Sequence, residues 1–497
     1  MPEKDKITFP EPEKVVKDKP SIRKYLKYLM FFGPGAIVAS MTIGQGQLIL
    51  GPQIGAWAQF GLMWLITVNI ASYIFCYIGA RFTMLSGINV MDLLSYKTKK
   101  GWFNWILLII ILIFIPIFTA TIITTVGQSL AWIFLGDTES SMYLVFGIGI
   151  CLLAAFLILF ARYKFLEHLQ AFFIIVLGIG AVISALFVLQ SVSNVDYIDM
   201  IISFFNIGNT PSYPDWVGNV EGFSQTAVPL IILGFLGTLT ISIIPLIGYQ
   251  GWIKVKGWGV FKDKKDPEKF EEEKFEEFKK ENGKITFLPD SPSEVKKSRQ
   301  LTIPLKVDLA VAFIVVSVVS ACYVICGRFL LGPQIIDGET VYLLPNNMNL
   351  ITEQARIFTS LSPILKPLFQ VSVFFAFFGT IYAGFEAVAR MVRQTSKNII
   401  PKIKDMEYKR YLLFLILYVL MLGIPLSILI YKGLSFMMIL SITLLFIGVI
   451  GVLFYGIAVV YMSQRVLPKK YRLGKFGLAL GIIGIILFII PFFTFIL

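Results

Sequence analysis

Charge is scarce in this 497-residue chain: Asp, Glu, Lys and Arg make up 15% of it, against roughly 25% in soluble domains. With 56% hydrophobic residues and a mean hydropathy of +0.77, that shortage excludes a soluble enzyme and marks an integral membrane protein. Histidine is nearly missing. His168 stands alone at the start of an apolar stretch, where it reads as a solvated loop-edge residue rather than a proton relay. The four cysteines, Cys76, Cys151, Cys322 and Cys326, all sit inside apolar runs, which excludes a disulfide framework and a CxxC zinc site. Cys322 and Cys326 share a helix face, and small buried hydrophobes are the expected role. Residues Met1 to Lys27 have no apolar h-region, so they do not read as a cleaved signal peptide; a disordered cytoplasmic tail is expected. The net charge of +13 comes without a basic stripe interleaved with aromatics, so no nucleic-acid partner is expected. No nucleophile–base or metal–water set occurs among the apolar stretches, so neither an enzyme nor a cofactor is expected.

What is present instead is a series of stretches long enough to cross a bilayer as helices. About eleven are expected, near 29–54, 58–84, 103–135, 142–161, 166–190, 227–257, 304–329, 366–392, 408–430, 433–463 and 475–496. Their loops alternate in charge. Lys97, Lys99, Lys100, Arg162, Lys164, Arg390, Arg393, Lys397, Lys402, Lys404, Arg465, Lys469, Lys470 and Arg472 fall on one side. Asp137, Glu139, Asp196, Asp199, Asp215 and Glu221 fall on the other, and Ser191 to Thr226 contains neither Lys nor Arg. The positive-inside rule then puts the tail, 1–28, in the cytoplasm and the protein in the cell membrane. The one sizeable polar insertion is the loop 259–303. Within it, Asp266 to Glu281 reads as a mixed-charge helix with Phe270, Phe275 and Phe278 on one face, a solvated surface helix on the membrane domain. The outer loop 196–222, with its acids, aromatics, Pro211 and Pro214, reads as a partly ordered cap.

Two stretches are interrupted. In the first, Gly44-Gln45-Gly46-Gln47 puts two helix-weakening glycines and two amides at the expected bilayer centre; in the sixth, the break is expected over Ser242 to Gly248, around Pro245. Each backbone group freed in hydrocarbon costs several kcal/mol (roughly) unless protein or a cavity satisfies it. Matching breaks in two halves therefore point to a transporter's midplane site. Spans 1–5 (29–190) and 6–10 (227–463) form two five-helix repeats, inverted because the repeat length is odd, with 475–496 as an extra helix. The expected fold is an all-α, LeuT-type membrane domain over 29–497.

Gly33-Pro34-Gly35, a broken centre, then Gly55-Ala56 and Gln59-Phe60-Gly61 resemble the opening of the natural-resistance-associated macrophage protein (Nramp) family. Gly79-Ala80-Arg81 with Gly87, Tyr163-Lys164-Phe165-Leu166-Glu167, and Gly379-Thr380 with Ala383-Gly384 look like its second-to-third junction, fifth-span entrance and eighth span. The resemblance implies a LeuT-type transporter of divalent metal ions coupled to protons. It does not extend to 259–303. The departures fall on the site. The family's Asp-Pro-Gly-Asn corresponds here to Gly44, Gln45, Gly46 and Gln47, and its Met-Pro-His to Ile244-Pro245-Leu246. The helix breaks are kept while the metal ligands are gone.

The candidate substrate site is accordingly Thr42, Gly44, Gln45, Gly46 and Gln47 from span 1 with Ile241, Ser242, Ile244 and Pro245 from span 6. It offers amides, hydroxyls and carbonyls, but no carboxylate, thiolate, imidazole or thioether at the family's positions. Gln47, in the family's Asn position, is the first choice for a metal contact, and only one of the two amides need face a cavity, because i and i+2 do not share a helix face. Glu386 and Arg390 are read equally as a coupling pair or an i,i+4 ion pair. Tyr249, Gln250 and Trp252 are candidates for an inner vestibule, Trp252 alternatively for an interface anchor. In span 3, Thr124 and Gln128 share a face and are preferred over Thr125. A symporter of a small solute or cation is expected, with metal ion transport implied by the resemblance. A transporter of an organic solute, with Gly44 and Gly46 making room for it, and a non-transporting sensor are the alternatives.

Overall fold

In lipid a long apolar stretch can satisfy its own backbone only as a helix, and helix dominates the chain. The structure, a computed structural model, describes residues 6–495 except 139, 161–162, 193–194, 221–225, 337, 346–348 and 350; side chains 160, 163–171, 173, 174, 177 and 495 are outside the described set. His168 is among these, and Glu139 and Glu221 lie outside the described residues. Among the described residues, nine helices are long and apolar enough to cross a membrane. To these the first span adds two half-helices, Pro34–Thr42 and Gln45–Ala58, and the fifth adds Tyr163–Ser191. Span 2 runs Trp64–Val68 and Ile70–Ser86, span 3 Trp102–Leu135 and span 4 Met142–Phe160. Span 6 is the pair Val228–Leu239 and Ile243–Lys256, followed by span 7, Ile303–Leu330, and span 8, Lys366–Ser396. Span 9 is Tyr408–Tyr431, span 10 Phe436–Leu444 continued through Gly451–Arg465, and span 11 Lys475–Ile489. Most of these bounds lie within a few residues of the sequence expectation.

Two sets of helix contacts stand out. The second half of span 1 lies along span 7, while span 3 is surrounded by spans 4, 8 and 9. Small residues permit the closest crossings: Gly55 and Gly327 sit against the backbones of Val324 and Pro52, and Gly127 and Gly147 against those of Tyr143 and Ile123. Span 10 carries one π-turn, Leu445–Ile450, where Gly448 abuts Gly237 of span 6. Outside the spans, a two-stranded antiparallel hairpin, Gly332–Ile336 with Glu339–Leu343, was not anticipated from the sequence. All four cysteines are buried and free.

Two expectations for the polar parts need correction. The tail is not disordered over its described residues. Ile7 donates to the Phe287 carbonyl, the Phe9 ring is buried, and the Phe9 N–H donates to Glu294. The insertion does pack on the membrane domain as a surface helix, but one charge expected in solvent is not there. Its helix Pro267–Lys280 buries Phe275 and Phe278, and between them and the membrane domain it buries Glu271 as well.

Candidate functional site

The first break is shorter than the four residues expected. Helix ends at Thr42, and Ile43 (φ −74°, ψ 7°) and Gly44 (φ −74°, ψ −141°) make the turn. Gln45 already starts the next helix, so Gln45, Gly46 and Gln47 belong to its first turn rather than to unwound chain. The second break comes earlier than expected. Thr240 and Ser242 are extended and helix resumes at Ile243, which puts Pro245 in the first turn, where its missing N–H costs nothing. Ile241 lies in the gap, fully buried, its N–H donating to Ser72 Oγ at 3.2 Å.

Gly44 and Gly46 were expected to make room for solute; threonines occupy that room. A Cβ on Gly44 would strike Thr380 Oγ1 of span 8, and one on Gly46 would strike Thr238 of span 6. Overpacking of this kind costs about 1–3 kcal/mol. Gly44→Ala is therefore expected to lower stability, and Thr380→Ala, by removing the clashing oxygen, to recover most of the loss in the double variant. A thermal-unfolding cycle of the four proteins measures this; simple additivity would refute it.

The two glutamines diverge. Gln45 lines a cavity, and span 3 holds its amide at both ends: Nε2 donates to Thr125 Oγ1 and Oε1 accepts from Thr121 Oγ1, each at 3.2 Å. Gln47, the first choice for a metal contact, is not among the cavity-lining residues. It is fully buried and donates to Thr238 Oγ1 at 3.3 Å. Thr124 and Gln128, preferred on span 3, are buried outside the cavity wall as well, whereas Thr121 and Thr125 do the positioning. From span 6, Ser242, Ile244 and Pro245 line the cavity; from span 1, Thr42 does. Tyr249, Gln250 and Trp252 do not: all three are buried away from it. Gln250 is a tie between helices, its Oε1 accepting from Thr83 Oγ1 and the Val90 N–H while Nε2 donates to Tyr455. Glu386 and Arg390 form the i,i+4 pair, at 2.6 Å, and neither lines the cavity.

The cavity measures about 70 Å³, several times the ~15 Å³ that one water needs. Among the described residues its wall contains no ionisable side chain. Ile115, Phe118, Ile122, Phe385 and Leu444 supply apolar surface, and Thr42, Thr119, Thr238, Thr240 and Thr380 supply hydroxyls. Each of these hydroxyls gives its proton to a backbone carbonyl: Val38, Ile115, Phe235, Gly448 and Ala376 respectively. That leaves their oxygens as acceptors. One residue with a soft donor was missed: Met41 is in the wall, in the last turn before the break and off the family's motif. Gly384 is also in the wall, with nothing within 4 Å of where its Cβ would stand.

A carboxylate was missed as well, and it fastens the half-helices. Asp308 of span 7 is fully buried and accepts from the Gly33 and Gly35 N–H groups at 2.8 and 2.7 Å and from Tyr249 Oη. It therefore caps the first half of span 1 and ties it to the second half of span 6. Gly35 is needed there because any Cβ would collide with Asp308.

At the level of sequence, no protein-family model and no curated protein matches the chain. Its backbone is similar to that of a manganese transporter of Eremococcus coleocola, with a TM-score of 0.57 and 14% identity over 96% of this chain and 88% of that one. The same transporter bound to an aromatic bis-isothiourea compound gives 0.55 and 13% over the same shares. MhsT in complex with L-phenylalanine gives a TM-score of 0.50 and 14% identity over 93% of this chain and 98% of that one. The fold is the LeuT fold, as the inverted repeats implied.

Proposed function

We propose that this multi-pass membrane protein is a secondary transporter that works by alternating access around the paired breaks, with the tail and the 259–303 loop on the cytoplasmic side of the cell membrane. The substrate read from the wall is a small organic solute, uncharged or singly cationic, carrying N–H or O–H donors on an apolar body. The observation that carries this is a wall of threonine acceptors and apolar surface without a carboxylate among its described residues. A dication stripped of water needs compensating charge, which the wall does not offer. The metal-ion reading rests on the Met41 thioether, on the manganese transporter's fold, and on the sequence resemblance. Function resides in the site more than in the fold, so the organic reading ranks first.

The test is uptake into proteoliposomes of small amines and amides beside Mn²⁺. Saturable uptake of an amine or amide is expected, and Gly384→Leu should abolish it by filling the cavity while leaving thermal stability near wild type. Saturable Mn²⁺ uptake lost in Met41→Leu would select the metal reading. No flux of any solute would favour a sensor.

A further inference from the structure

Residues 22–31 form a helix, Ile22–Tyr28 in α form, then Leu29–Phe31 in a tighter turn; the turn packs on span 7 through the buried Phe31, and Lys24 Nζ donates back to the Val16 and Asp18 carbonyls. Ser21 Oγ caps it by accepting the Lys24 N–H at 3.1 Å. Its apolar positions are Ile22, Tyr25, Leu26, Leu29 and Met30, spaced i, i+3, i+4, i+7 and i+8 along a single face. All five are more than half exposed, Ile22 at 81% and Met30 at 69%. Such a stripe is costly to leave in water. Between its members stand Arg23, Lys24 and Lys27, with Lys14, Lys17 and Lys19 just before and no acid after Asp18. Past Phe32, Gly33 (φ −152°, ψ −84°) departs from helical geometry and Pro34 opens span 1. The helix is thus tethered directly at the membrane edge, with a turn that frees it from the direction of the span.

We propose that this helix lies in the lipid interface and is a binding surface for anionic lipid headgroups. Interfacial helices combine an apolar face of this spacing with Lys and Arg on the flanks. Two things favour lipid as the occupant over a protein: the continuity with span 1, and the charge complementarity of residues 19–31, which carry Lys and Arg but no acid. Because only Phe32 and Gly33 separate the helix from the half-helix that Asp308 fastens, its lipid contact would hold the tail-side end of that half-helix. This inference rests on the placement of residues 22–31 and stands independently of any substrate.

The native cysteines are all buried, so Leu26→Cys offers one accessible thiol on the full-length protein for an environment-sensitive dye. Reconstitution into phosphatidylcholine alone, or mixed with phosphatidylglycerol, compares the two surfaces. Blue-shifted emission and protection from acrylamide are expected, stronger and salt-sensitive in the anionic membrane. Arg23→Glu with Lys27→Glu should reduce the anionic preference by at least about 30-fold, taking ~1 kcal/mol for each surface cation. Full acrylamide quenching in both membranes would overturn the proposal. Equal protection in both, unmoved by the charge reversal, would overturn anionic recognition. Dilution-dependent energy transfer between labelled copies would replace lipid by a second copy of the chain.

Discussion

A protein carrying Asp308→Ala is expected to lose several kcal/mol of stability, on the order of the sum for three orphaned donors at ~1–3 kcal/mol each. The Gly33 and Gly35 N–H groups and the Tyr249 hydroxyl all point at this one side chain, and its position is closed to solvent. Alanine would leave the first turn of span 1 with unmet donors in a low-dielectric setting, where water cannot replace the lost acceptor. Asp308→Asn keeps one acceptor oxygen but turns an NH₂ toward at least one donor, so an intermediate loss is expected. Tyr249→Phe removes a donor and its need together, and should cost only about 1 kcal/mol. Thermal unfolding should rank the three in that order. Hydrogen exchange should report faster exchange over residues 33–42 in Asp308→Ala than in Tyr249→Phe. Wild-type exchange there in Asp308→Ala would mean that the carboxylate does not hold the half-helix.

Why Asp308 escaped notice in the sequence shows where one-dimensional reasoning stops. It lies six residues into span 7 behind Lys306, where an acid reads as juxtamembrane, and its partners come from residues some 275 positions earlier. Hydropathy resolved the spans, because each must satisfy its backbone alone and so carries its signal locally. The glycines marked the first break, but not its place. Gly46 keeps helical geometry, and its missing side chain serves the approach of Thr238. The choice between Gln45 and Gln47 is likewise one of phase rather than period. Their opposite facing follows from spacing, but which amide reaches the cavity depends on how span 7 packs against the helix, and no local feature encodes that. Met41 and the π-turn of span 10 were hidden for the same reason. Each looks like ordinary apolar helix until spans 1, 6 and 10 are brought together.

Glu271→Gln is expected to be the most damaging change on the polar face, at about 3–5 kcal/mol for breaking a buried ion pair on one side. Glu271 is 1% exposed and stands between Lys397, just past span 8, at 3.0 Å and Lys254 of span 6 at 3.2 Å, the latter without hydrogen-bond alignment. Lys397 also meets Asp92 at 2.8 Å, and Asn398 donates to the same carboxyl at 2.6 Å. The two acids differ in how well they are compensated. For Glu271, burial opposes the charge, but Lys254 and Lys397 outweigh it and hold the carboxyl below its usual range. For Asp92, burial dominates over Lys397, Glu271 adds repulsion, and the carboxyl is pushed up from 3.8 to about 6. The signs follow by linkage. Glu271 contributes stability above its ordinary range and loses it as pH falls through its folded value. Between pH 3.8 and about 6 the folded state holds the Asp92 proton more tightly than the unfolded chain does, so Asp92's contribution declines as pH rises through that window and stays low above it. At neutral pH, Asp92→Asn should therefore be neutral or mildly stabilising while Glu271→Gln is costly, although both remove one negative charge from the same cluster. Because Glu271 bolts the 259–303 loop to both span 6 and the end of span 8, its loss should also loosen that end of the cavity. Ser242→Cys, in the cavity wall, should react several-fold faster with an impermeant thiol reagent from the loop's side when Glu271 is Gln. Equal melting of the Asp92 and Glu271 variants would refute the compensation argument, and unchanged labelling would show that the loop is not a latch.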